Sequence, residues 1–77
     1  MKLKIKIEMD NAAFEMPHRA DEVARILQKY VDEIRADGTE AREAIQSGKG
    51  PRWLKDINGN VVGLANVREH FNLNTQP

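Results

Sequence analysis

The residues able to do chemistry are few, and their spacing is poor for catalysis. The chain has no cysteine, so it offers no thiolate nucleophile, disulfide or sulfur-held metal. Its hydroxyl side chains are Tyr30, Thr39, Ser47 and Thr75, and none lies in a G-x-S-x-G or comparable nucleophile turn. His18 stands at the start of a helical pattern and His70 in a tail, whereas a triad base needs a buried, oriented imidazole. Glu15, His18 and Glu22 lack metal-ligand spacing and read as a solvated helix terminus. Asp56-Ile57-Asn58-Gly59-Asn60 opens like a calcium loop but lacks the twelfth-position acid, so it reads as turn chemistry. The adjacent acids Asp21/Glu22 and Asp32/Glu33 diverge on a helix, and Asp21–Arg25 and Glu22–Arg25 are expected as ordinary helix ion pairs of about 0.2–0.5 kcal/mol. Gly48-Lys49-Gly50 has no flanking strand and helix to make it a phosphate loop. The expectation is no catalytic site, no metal and no cofactor.

One constellation invites function. Lys2, Lys4 and Lys6 alternate with apolar residues, and Trp53 and Lys55 are spaced to fall on the same sheet face. Three readings fit. The lysines blunt an edge strand against aggregation, with their stems covering Trp53. Alternatively, the face contacts a protein through its aromatic. Or it is a small single-stranded nucleic-acid platform, although such platforms usually stack two or three bases and this one has a single aromatic.

The elements that must position these residues follow from periodicity. Leu3, Ile5, Ile7 and Met9 alternate with Lys2, Lys4, Lys6 and Glu8, which predicts a half-buried strand. Phe14 is the expected plug of the following connection. Pro17 suits a first helical turn, and acids at 21 and 22 suit a helix N-terminus. Ala20, Val23, Ile26, Leu27, Tyr30, Val31 and Ile34 then form an apolar stripe, predicting a helix over 17–36 with Gly38 as its C′ residue. Thr39 caps a short helix over 40–46, with Ala41, Ala44 and Ile45 inward. Asn58-Gly59 between apolar runs predicts a hairpin. Either Ile57 pairs with Asn60, or a type I turn plus bulge pairs Asp56 with Asn60. The second is preferred because Asp suits the first turn position and Gly the left-handed one. It places Leu54, Val62 and Leu64 on one face and Trp53 opposite Gly63.

The order is β-α-(short α)-β-β, an α+β fold with one long helix on a three-stranded, mainly antiparallel sheet. Val23, Ile26, Leu27, Tyr30 and Ile34 are expected to pack on Leu3, Ile5, Ile7, Leu54, Val62 and Leu64. Residues 1–66 form the expected domain and 67–77 a partly flexible tail in which Phe71 tucks back. One helix cannot cover both faces of a sheet, so the face carrying Lys2, Lys4, Lys6, Trp53, Lys55 and Val61 is open or meets a partner.

Composition bounds the rest. With 77 residues, 40% hydrophobic and 31% charged, the sequence reads as one small globular domain. Net charge is zero, which argues against a general polyanion binder. Residues 1–7 carry three lysines and no acid, whereas residues 8–46 carry ten acids and five bases. The first strand is therefore basic and the helices acidic. The N-terminal alternation is not the continuous run of a signal peptide, and no stretch is apolar enough to span a membrane. A cytoplasmic location and no membrane partner are expected.

The segments Asp10-Asn11-Ala12-Ala13-Phe14, Glu22-Val23-Ala24-Arg25-Ile26-Leu27 and Asp56-Ile57-Asn58-Gly59-Asn60-Val61-Val62-Gly63 together resemble a group of short phage and prophage proteins. In that group a lysine-rich or acidic strand leads to N-A-A-F, followed by an E-V-A-R-I-L helix and a D-x-N-G-N-x-V-G hairpin. The resemblance spans roughly residues 3–65, and the chain departs from it at 39–51 and beyond Ala65. No functional residue carries over. The resemblance implies a phage-type accessory protein, a class that commonly works by binding a host protein. The expected function is a non-enzymatic protein-binding module with Trp53, Lys2, Lys4, Lys6 and Lys55 as binding residues, a phage-type inhibitor or modulator of a host bacterial system, with a homodimer through the same face as a variant. The alternative is a small nucleic-acid-binding protein using the same face.

Overall fold

In the computed structural model, which describes residues 1–69, the chain runs β1 (Lys2–Ile7), a 3₁₀ turn (Ala12–Phe14), α1 (Arg19–Arg35), α2 (Glu40–Ser47), β2 (Gly50–Lys55) and β3 (Val61–Arg68). The strands form one antiparallel sheet in the order β1-β3-β2. The fold is α+β, with the long helix on one face of the sheet, as periodicity predicts. Strand β3 runs through Arg68 and buries Val67, so the boundary expected after residue 66 falls inside a strand. The tail beyond 69, with His70 and Phe71, lies outside the described residues.

The helix begins later than its first proline suggests. Pro17 follows a cis Met16–Pro17 peptide in a turn closed by His18 N–H donating to the Glu15 carbonyl at 2.8 Å. That turn occupies Pro17, so the first helical residue is Arg19. At the other end the C-cap is Ala36, which places Gly38 two positions on, one beyond the expected C′ site. The Thr39 hydroxyl joins the helices: it donates to the Glu33 carbonyl and accepts from Arg42 N–H, capping α2.

The hairpin register holds at the turn and then slips. Gly59 N–H donates to Asp56 O at 3.0 Å and Asp56 N–H to Asn60 O at 2.9 Å, with Gly59 at φ +85°. This is the type I turn with a left-handed glycine. Lys55 pairs with Val61 as expected, but Leu54 then pairs with Gly63, leaving Val62 as the extra residue of a bulge. Trp53 consequently opposes Leu64 and not Gly63. The bulge shifts the alternation by one. Val62, Ala65 and Val67 are buried, while Leu64 leaves the expected core and shares a face with Trp53. Gly63 permits the fit to β1, because a Cβ there would stand 2.2 Å from the Lys6 carbonyl oxygen.

The core gathers Phe14, Ile26, Tyr30, Ala41, Leu54, Val62 and Ala65, with Ile7, Ala13, Val23 and Ile34 packed around it. Phe14 is 1% exposed and is the plug its position predicts. Leu27 is only half-buried. Leu3 and Ile5 depart furthest from expectation, at 44% and 40% exposed. They lie on the helix-bearing side, in rows with Val67 and Ala65. The helices, however, lean on β2, and β1 makes its substantial contacts with β3 alone.

Candidate functional site

Two regions concentrate polar chemistry. The first is the corner where the hairpin turn meets the start of α1. Asp56 is buried, and its carboxylate accepts four hydrogen bonds: from Asn58 N–H and Asn60 N–H at 2.9 Å, Asn11 Nδ2 at 2.8 Å and Asn60 Nδ2 at 3.1 Å. Asn11 uses its Oδ1 to cap the 3₁₀ turn at Ala13 N–H. Glu22, also buried, takes Arg25 through Nε at 2.8 Å and Nη2 at 3.0 Å, and accepts Ile57 N–H at 2.8 Å. Arg25 Nη2 donates in turn to the Lys55 carbonyl at 3.1 Å. The Glu22–Arg25 pair is therefore not an ordinary surface pair: it ties the helix to both sides of the turn.

The charges respond to this setting. The hydrogen bond from Arg25 holds the Glu22 carboxyl below its usual range, against the opposing effect of burial, with Ile57 N–H assisting. For Asp56, burial pushes the carboxyl up, but the donors from Asn60, Asn11 and Asn58 together outweigh it, and the net shift is downward. Farther along α1, Glu33 grips Arg52 of β2 in a fork at 2.6 and 2.9 Å. Among the described residues no buried side-chain nitrogen or oxygen lacks a partner. The buried polar atoms of the corner are thus satisfied within the chain.

The hydroxyls and histidine are similarly placed. Thr39 caps α2, Ser47 donates to the Lys49 carbonyl at 3.1 Å, and Tyr30 is buried, which raises its phenol above the ordinary value. His18 is exposed and makes no capping bond. Among the described residues no group of three His, Asp or Glu side chains could hold a metal ion.

The second region is the sheet face that no helix among the described residues covers. A cross-strand row runs Lys6–Leu64–Trp53, and a second runs Lys4–Asn66–Pro51. Lys2 lies opposite Arg68 at the far end, and Lys55 follows Trp53 along β2. Trp53 is 56% exposed and Val61 beside it equally so. Lys6, Glu8, Trp53, Val61 and Leu64 line a shallow recess of about 390 Å³. The five expected binding residues do share this face, but they form no single cluster. Only Lys6 stands in the row with Trp53, while Lys2 is four residues up β1, roughly 13 Å away along the strand. Leu64 belongs to the apolar centre and was expected in the core. Glycine in a strand interior often marks a bulge, and Gly63 was the available signal for that shift.

No protein-family model matches the chain, and neither does any curated protein or solved structure. No helix among the described residues is long and apolar enough to cross a membrane.

Proposed function

We propose that the protein is a non-enzymatic binding module that engages a protein partner through the open sheet face, as a phage-type modulator of a host bacterial system acting in the cytoplasm. The observation that carries this reading is the exposed pair Trp53 and Val61 beside half-buried Leu64, on a face that no helix among the described residues covers. An apolar centre with an aromatic anchor and a charged rim is the anatomy of a protein interface. Glu8 beside Lys6, at 3.8 Å, makes that rim mixed in sign, which suits a protein better than a phosphate backbone. The sequence resemblance to short phage proteins supports the biological setting.

A pull-down from bacterial lysate with the full chain, with and without nuclease, tests the reading. The expected result is a protein retained after nuclease treatment and lost with Trp53→Ala. Loss of capture on nuclease treatment, together with a steep fall in affinity with salt, would transfer the face to nucleic acid and overturn it.

A further inference from the structure

We infer that the outer edge of β1 accepts an extended partner strand in which acidic and apolar residues alternate. This deepens the protein-binding reading by naming a partner chemistry, and rests on it for the class of partner. Strand β1 is an edge of the sheet, with β3 on one side and no described residue pairing on the other. Glu8 N–H donates to Val62 O at 2.7 Å, continuing the β1–β3 register. Hydrogen-bonded positions in an antiparallel ladder alternate, so Lys2, Lys4 and Lys6 bond inward to β3. The backbone groups of Leu3, Ile5 and Ile7 then point to the free edge. An incoming strand would satisfy them by adding a fourth strand to the sheet.

The two faces of β1 specify what that strand carries. On the helix-free side stand three exposed lysines at alternate positions. On the other side Leu3 and Ile5 are left about two-fifths exposed, because the helices lean on β2. A strand laid alongside places its own alternate residues next to each set. Acids complement the lysine row, and apolar residues cover Leu3 and Ile5. A second copy of β1 is a poor occupant. A two-fold axis through the edge keeps each face on its own side and sets lysine opposite lysine, which is destabilising. The outer edge of β2 is less suited, since Pro51 lacks an N–H and the helices pack over that strand.

The test uses the full chain and fluorescent peptides of strictly alternating Glu and Val, alternating Lys and Val, and the Glu–Val composition in block order. Anisotropy should show the alternating Glu–Val peptide binding roughly tenfold tighter than either control, as cross-strand charge and apolar pairing along the edge would give. Its binding should slow hydrogen exchange at the Leu3, Ile5 and Ile7 amides. Lys2→Glu with Lys6→Glu should reverse the preference toward the Lys–Val peptide. Asp32 lies on the exposed side of α1, away from the added strand, so Asp32→Ala should leave peptide affinity unchanged. Equal binding of the block peptide, unchanged exchange at those amides, or concentration-dependent dimerisation that protects them would overturn the inference. Peptide binding that is absent while lysate capture still depends on Trp53 would remove the edge and leave the open-face reading standing.

Discussion

The hairpin corner and the open sheet face sit at opposite ends of one physical scale. At the corner Asp56, Asn11, Glu22 and Arg25 are satisfied by one another and by backbone. On the open face Trp53, Val61 and the lysines are exposed. The corner joins three segments distant in sequence: Asn11 of the 3₁₀ turn binds Asp56 of the hairpin turn, and Glu22 and Arg25 of α1 bind the turn's backbone. Residues that look chemical in the sequence therefore do structural work, and a small chain needs such work because its core is thin.

The comparison can be broken most forcefully at Phe14, which the capped 3₁₀ turn drives into the core. Phe14→Ala should cost about 3–5 kcal/mol by truncation and cavity formation, a large part of the roughly 5–15 kcal/mol available to a small domain. Urea unfolding would measure it. A loss no larger than that of an exposed-residue control would mean the corner does not organise the core.

Asp56→Ala should come next. It strands the Asn58 and Asn60 amides and frees Asn11, so the thermal midpoint should fall by several degrees more than in Asp32→Ala on the exposed side of α1. Acid should act in the same place. Both Asp56 and Glu22 are held below ordinary values in the folded state. Their stabilisation is therefore fully present above the unfolded values of about 3.9 and 4.3, and is lost as pH falls through the lowered folded values. Stability measured downward from pH 5 should decline, and in Asp56→Ala the decline should be shallower. An identical acid limb in the two proteins would remove Asp56 from the account.

Gly63→Ala tests the border between the regions. Its Cβ would meet the Lys6 carbonyl at 2.2 Å and Ile7 Cα at 3.1 Å, both of them backbone. Strand β1 must move, at a cost of about 1–3 kcal/mol typical of overpacking. Amide exchange in β1 should rise more than in β2. A variant with native stability and unchanged β1 protection would contradict the close approach.

Much of the fold was legible in the sequence because it rests on local rules. Alternation gave β1, the apolar stripe gave α1, Thr39 marked the start of α2, and Asp56 to Gly59 specified the turn. What was not legible depends on tertiary geometry. Periodicity places Leu3 and Ile5 on an inward face but cannot say that the helix leans on β2 and leaves them half uncovered. The bulge at Val62 inverts the faces of Leu64 and Ala65, and a pattern read in a fixed period of two misses that inversion. Glu22 looked like a surface helix acid because its partner Ile57 N–H lies 35 residues away.

Trp53 should show the smallest effect on stability and the clearest effect on binding. More than half of its surface is exposed, and its cross-strand neighbour Leu64 is itself only partly covered. The indole therefore contributes little that the folded chain needs, and Trp53→Ala should shift the midpoint by less than any change at the corner. At an interface the balance reverses, because a central aromatic excludes water across a large area, and truncating such an anchor often costs about 2 kcal/mol or more in binding. Partner affinity should then fall more for Trp53→Ala than for Lys2→Ala, Lys4→Ala or Lys6→Ala, whose rim positions are screened by salt. Circular dichroism establishes that each variant is folded, and titration with the captured partner ranks them. If Trp53→Ala unfolds the chain, the indole belongs to the structural region and the contrast between corner and face collapses. If it folds and binds unchanged, while a lysine variant does not, the weight of the face moves from its apolar centre to the charged row of β1.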